Sequence, residues 1–183
     1  MNNRLYKKYK DEVLPKLKKD FNIENDFAAP RIEKVIINVG LGKGLNDKEF
    51  IDVVENNIMR ITGQKPIKTK ARKSISNFKI RKGLIVGMKV TLRQNRMYDF
   101  LDKLFNVTFP RVRDFRGISP KTADREGNIT VGIKEHICFP EVKLDEVEKI
   151  HGLEATIVTT AKNNEQCVAL LQGLGFPFKK EIK

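Results

Sequence analysis

The sequence predicts an α+β fold in two layers: a mainly antiparallel sheet, helices packed on one of its faces, and the other face left open. Three observations carry this. Several short stretches alternate apolar and polar residues or are dense in β-branched ones, as strands are. Longer stretches repeat apolar residues at helical spacing. The helices are too few to supply a crossover for every strand of a parallel sheet. At 183 residues the chain is read as one domain, 1–183, without internal repeat, low-complexity segment or linker.

Along residues 4–21, Leu5, Tyr9, Val13 and Leu17 recur at helical spacing, with Pro15 expected to kink or restart the helix. Residues 32–39 read as a strand, ended by Gly40, Leu41, Gly42, Lys43 and Gly44. That glycine run is G-x-G-x-G, which matches neither dinucleotide nor P-loop spacing, so a turn needing positive φ is the expected reason for it. Asn46 with Glu49 resembles a capping box, and Phe50, Val54, Ile58 and Ile61 form a helical stripe stopping at Gly63. Residues 66–70 and 88–93 read as strands around a long basic loop, 71–83. Asn95 is the expected cap of a helix carrying Met97, Leu101, Leu104 and Phe105 and closed by Pro110. After a basic, turn-rich tract to Gly127, residues 128–133 and 153–160 complete the strands. Asn163 with Gln166 opens a last helix with Val168, Leu171 and Leu174 facing inward.

Alternation assigns the open face. Val35, Ile37 and Val39, Met88, Val90 and Leu92, and Ile129, Val131 and Ile133 point to the core, while Lys34, Ile36 and Asn38, Lys89, Thr91 and Arg93, and Asn128, Thr130 and Gly132 point away. This small, polar, partly basic surface suits an RNA backbone, whose phosphates and 2′-hydroxyls such side chains can bond. The same pattern also fits an antiparallel sheet with one ordinary wet face. It lacks paired aromatics, so structured RNA fits better than single strands.

Lysine and arginine number 36 against 23 acids, a formal charge of +13, which points to a polyanionic partner. In 71–83, Arg72, Lys73, Lys79, Arg81 and Lys82 occur with no acid, beside Ser74, Asn77 and Phe78. Such a loop repels itself and is expected to be mobile until it meets a nucleic acid. Arg111, Arg113 and Arg116 form a second basic tract in which Asp114 can pair with an arginine. Cys138 and Cys167 are far apart, and His136 and His151 stand in no catalytic or ligating pattern, so no enzyme, metal or cofactor is expected. No stretch approaches a membrane span, and no transit or export segment is read, so the expected place is the cytoplasm. The rival readings are an unrelated RNA chaperone or RNA-recognition module, and a phosphate-ligand enzyme using the glycine turn.

Gly63, Gln64, Lys65 and Pro66 running through Thr69 to Lys73 and Ser74, then 89–93, 110–117 and 176–178, are long, ordered and co-linear. Together they resemble the bacterial form of the universal large-subunit ribosomal protein family L-five, nearly end to end. The resemblance implies a sheet face docked on 5S rRNA beside 23S rRNA in the central protuberance. It carries 5S rRNA contact to Asn38, Gln64, Lys65, Thr69, Thr91 and Arg93. It implies that Arg72, Lys73, Ser74, Asn77, Phe78, Lys79, Arg81 and Lys82 reach peptidyl-site tRNA. It also implies that Arg111, Arg113, Asp114 and Arg116, with the later segment 140–152, face the small-subunit ribosomal protein S-thirteen across a bridge. Lys43, Gly44 and the tail 179–183 depart from the family pattern.

Overall fold

A computed structural model of the chain describes residues 3–44, 47–142 and 149–179. Its five strands are β1 (Ile32–Gly40), β2 (Ile67–Lys70), β3 (Ile85–Leu92), β4 (Ile129–Ile133) and β5 (Leu153–Thr159). They form one antiparallel sheet in the order β2-β3-β1-β5-β4, within an α+β fold. The residues gather into two compact units, 1–35 with 92–131 and 156–183, and 36–91 with 132–155.

In the first unit, helix α1 runs through Arg4–Lys8, a π turn at Tyr9–Val13, and Leu14–Asp20, burying Leu5, Tyr9, Val13 and Leu17 as the spacing predicts. Pro15 does not restart the helix. It sits one residue beyond the Leu14 N–H that donates to the Tyr9 carbonyl in the widened turn. The long helix further along the chain repeats this arrangement, as Gln94–Lys103, a π turn at Leu104–Thr108 and Phe109–Arg111. Phe109 N–H donates to the Leu104 carbonyl and Pro110 follows, inside the last turn rather than closing the helix. Proline supplies no N–H to the carbonyl four residues back and crowds it, and a widened preceding turn accommodates both defects while the helix continues. The cap expected at Asn95 is absent. The N-cap position is Arg93, which makes no side-chain cap bond, and Gln94 enters the helix with φ of 53°.

The final helix, Asn164–Leu174, starts as predicted, with the Asn163 side chain accepting from Gln166 N–H at 3.0 Å, and ends at Gly175 in the left-handed region. Its inward residues are Cys167, Leu170, Leu171 and Leu174, whereas Val168 is only half-buried. The helix lies against α1 closely enough that a Cβ on Gly173 would meet Val13 at 3.0 Å. Phe105, Phe109, Phe115, Phe176 and Phe178 form a ring cluster, with Phe109 and Phe115 stacked at 5.0 Å.

In the second unit, helix α2 (Lys48–Thr62) buries Phe50, Val54, Ile58 and Ile61 and stops at Gly63, φ 65°. Its cap is Asp47, which accepts from Phe50 N–H, while Asn46, the expected cap, lies outside the described residues. Asp47 also pairs with Lys149, and these bonds hold its carboxyl below the ordinary range. The glycines before α2 are not explained by positive φ. Gly44 is required because a Cβ there would run into the Phe50 ring, while Gly40 and Gly42 meet nothing within 4 Å.

Two buried imidazoles pack against each other in this unit. His136 and His151 stack 4.0 Å apart and nearly parallel, His136 N–H donates to the His151 carbonyl at 3.1 Å, and His136 Nε2 is buried without a partner. Burial pushes both toward the neutral form, and the His136 neighbour adds to it at His151, taking that group down to about 4.

Two outcomes follow from this packing. Asn163→Ala should lower the stability measured by urea unfolding by about 1 kcal/mol, with Asn163→Ser retaining most of it; equal losses would show that the cap bond contributes nothing. The second concerns pH. Between 6.5 and about 4 the unfolded chain protonates His151 while the fold refuses the proton, so the stabilisation is complete above pH 6.5 and lost as pH falls toward 4. The loss amounts to roughly 3 kcal/mol at most. Comparing urea unfolding of wild type and His151→Gln from pH 7 to 4 should show a shallower decline in the variant, and identical declines would refute this assignment.

Candidate nucleic-acid interface

The open face in the second unit is fixed by how β2 meets β3. Thr69 lies opposite Gly87 and Ile67 opposite Lys89, so these side chains share the face that carries Thr91, while Lys68 lies opposite Met88 on the helix side. Lys68 there donates to Glu55 of α2 at 2.6 Å and lies 3.6 Å from Asp52. The Lys68 bond holds the Glu55 carboxyl below its ordinary range, and the same bond raises Lys68. Lys65 joins the cluster at 3.6 Å from Glu55, with its side chain largely exposed.

Gln64 follows the left-handed Gly63. Its N–H donates to Thr62 Oγ1 at 3.2 Å and its Nε2 to the Thr91 carbonyl at 3.4 Å, which ties the end of α2 to β3. Gly87 is needed at the middle of this surface, because a Cβ would lie 2.9 Å from the Val39 carbonyl and 3.0 Å from Thr69 Oγ1. Asn38 on β1 is exposed, as are Lys89 and Gly132. Thus Asn38, Thr69 and Thr91 share the face, and Gln64 and Lys65 stand at its margin. Arg93 is exposed one residue beyond β3 and belongs to the first unit.

Sequence reasoning missed two features of this face. Ile67 is 65% exposed on it, and Glu154 is an exposed acid on β5. Extending the alternation of Leu153, Ala155 and Ile157 would have found the acid. Alternation places Lys89 on the face, where it makes no ion pair among the described residues.

The basic loop 71–83 is not a structureless segment. Beyond a bulge at Thr69/Lys70 it continues as a hairpin, with Ala71 N–H donating to Leu84 O at 2.8 Å, Gly83 N–H to Ala71 O at 2.9 Å, and Ile75 and Ile80 exchanging bonds of 2.8 and 3.1 Å. Lys82 N–H donates to Ser74 Oγ at 2.9 Å, and the tip turns at Ser76–Phe78 with Lys79 left-handed at φ 54°. These backbone bonds offset the charge repulsion that argues for disorder. Arg72, Lys73, Ser74, Asn77, Lys79, Arg81 and Lys82 are all exposed, and Phe78 at the tip is 68% exposed.

In the first unit, Arg111, Arg113, Asp114 and Arg116 are exposed around the anchored Phe115. Arg113 Nε lies 3.8 Å from Asp114, both fully in solvent, so the expected pairing is present but weak. Within 140–152, residues 143–148 lie outside the described residues. No described helix is long and apolar enough to cross a membrane.

The family model for ribosomal protein L5 matches residues 25–81, and that for the ribosomal L5P family C-terminus matches residues 85–178. The large ribosomal subunit protein uL5 of Halothermothrix orenii is 54% identical over 176 residues, covering 96% of this chain and 98% of the relative. The proteins of the same name from Caldanaerobacter subterraneus and Dichelobacter nodosus are 50% and 49% identical, covering 97% and 96% of this chain. With both halves matched and relatives aligned over nearly their whole length, the chain belongs to the ribosomal protein L5 family, whose members are structural components of the ribosome and not enzymes.

Proposed function

We propose that this chain binds 5S rRNA through the open sheet face of its second unit and attaches it, beside 23S rRNA, in the central protuberance of the large subunit. As a member of this family the chain is a structural constituent of the large ribosomal subunit, which in bacteria is cytoplasmic. The observation that carries the 5S rRNA assignment is the set Asn38, Thr69 and Thr91, short polar side chains on strands beside Lys89, which has no ion-pair partner among the described residues, with Gln64 bonded to the β3 backbone. Short polar groups over glycine admit a sugar-phosphate backbone closely, and rigid strands position a folded RNA with little ordering cost. Arg93 extends this set by its family position.

The hairpin suits a different partner. Its cations face no acid within 71–83, and Phe78 stands at the tip of a projecting arm, a form that can reach peptidyl-site tRNA. The exposed arginines Arg111, Arg113 and Arg116, with Asp114, suit a protein surface of mixed charge, and the bridge to S-thirteen is assigned to them.

One set of variants tests the three surfaces together. Wild-type affinity for 5S rRNA should fall steeply between 50 and 200 mM salt, as counterion release requires. A Gln64→Ala and Thr91→Ala pair should weaken it at every salt concentration. Changing Arg72, Lys73, Lys79, Arg81 and Lys82 to Ala should leave 5S rRNA affinity nearly intact at moderate salt while ribosomes carrying the variant release peptidyl-site tRNA faster. Arg111→Glu with Arg113→Glu should impair subunit joining in sedimentation and spare 5S rRNA binding. Salt-insensitive binding, or equal competition by unrelated structured RNAs, would refute the 5S assignment. Loss of 5S rRNA in the hairpin or arginine variants would refute the division of labour.

A further inference from the structure

Two adjoining cavities open at the edge of the face just described, both within the second unit. The first, about 570 Å³, is lined by Gly40, Gly42, Phe50, Lys134, Glu135 and His151 among others. The second is a shallow depression of about 430 Å³ that shares Gly40 and Lys134 and reaches Asn38 and Glu154. We infer that this concavity receives a single nucleobase of the bound RNA, swung out of its stack, with its N–H donors toward the carboxylates and its backbone passing Lys134. The inference rests on the 5S rRNA reading above and specifies what the face recognises.

Three features support a base. A regular RNA helix lying on a sheet cannot fill a hollow, so an occupant from structured RNA must project from the helix, and an unstacked nucleotide does so. The walls suit a planar ring: the imidazole of His151 and the ring of Phe50 are held by packing, each only 6% exposed. The charges oppose a phosphate as occupant, since Glu135 and Glu154 repel anions and only accept hydrogen bonds, whereas the single lysine between the cavities can meet the phosphate outside. The glycines agree with this. Gly40, Gly42 and Gly132 have neither positive φ nor a neighbour within 4 Å of a built Cβ, so the packing of the described residues does not require them, and they leave the backbone open to close approach by a ligand.

The same freedom supplies a test, because a Cβ at Gly40 meets nothing within 4 Å and a larger side chain there intrudes on the hollow. Full-length wild type, Gly40→Leu and Gly42→Leu are bound to in vitro transcribed 5S rRNA and probed with dimethyl sulfate, a guanine-reactive dicarbonyl and a uridine-reactive carbodiimide. In the wild-type complex one nucleotide that is reactive at its base-pairing edge in free RNA should become protected. In the leucine variants that protection should disappear and affinity should fall about ten- to a hundredfold, the scale of one lost base contact, with an unchanged thermal midpoint for the free protein. Wild type that fails to bind 5S rRNA would overturn the parent reading. Wild type that binds with no new base protection, or leucine variants that keep both the protection and the affinity, would overturn the base pocket alone. Should a variant lose its folded midpoint, the wild-type footprint still decides.

Discussion

Much of what this protein presents to a partner depends on the register between β2 and β3. With Thr69 opposite Gly87, the odd-numbered residues of β2 face outward and Lys68 faces α2, where Glu55 and Asp52 receive it. A slip of one residue would reverse every side chain of a strand. It would carry Lys68 to the open face and take it away from Glu55 and Asp52 of α2. Gly87 enforces the close fit of the three strands, because the Val39 carbonyl leaves no room for a Cβ. The β2 bulge at Thr69/Lys70 then sets the direction in which the hairpin leaves the sheet.

Charge is distributed with the same economy. Several cations of the two units are matched locally: Arg4 with Asp102, Lys18 with Asp26, Lys149 with Asp47, and Lys65 and Lys68 with Glu55. Exposed pairs of this kind add little stability. Their larger effect is on the field, because they remove cations from the surfaces around the helices. Among the described residues the cations of the hairpin have no such partners, so the arm keeps its five positive charges unneutralised.

Alternation in β1, β3 and β4 and the stripe of α2 were legible in the sequence because burial repeats every two or every 3.6 residues, and Asn163 was legible as a cap. Other features were not. The two prolines read as breaks because their missing N–H is a local fact, whereas the widened turns that absorb them depend on the packing of whole helices. The cap before α2 differed by one residue because Asn46 and Asp47 are both good caps and composition cannot choose between them. The hairpin read as disordered because its charge is visible in sequence, while the Ile75 and Ile80 pairing that orders it is weak in pattern. The residues assigned to the face were identified by family position. What alternation adds is the reason Asn38, Thr69 and Thr91 can act together, since register alone puts Thr69 and Thr91 on one side.

An ordered hairpin changes the energetics of a transient contact. Ordering a flexible loop costs roughly 1–2 kcal/mol per residue in backbone entropy, a large sum to recover at each binding event. Here the backbone bonds of 71–84 have already met much of that cost in the free protein, and the residual freedom lies in long side chains. The arm can therefore engage and release through charge and the Phe78 ring without folding and unfolding each time. The sheet face answers the opposite requirement. On the proposed function, strands hold its polar groups in place and the exposed Glu154 on β5 disfavours a phosphate placed beside it, so the face would discriminate by shape where the arm would attract by charge.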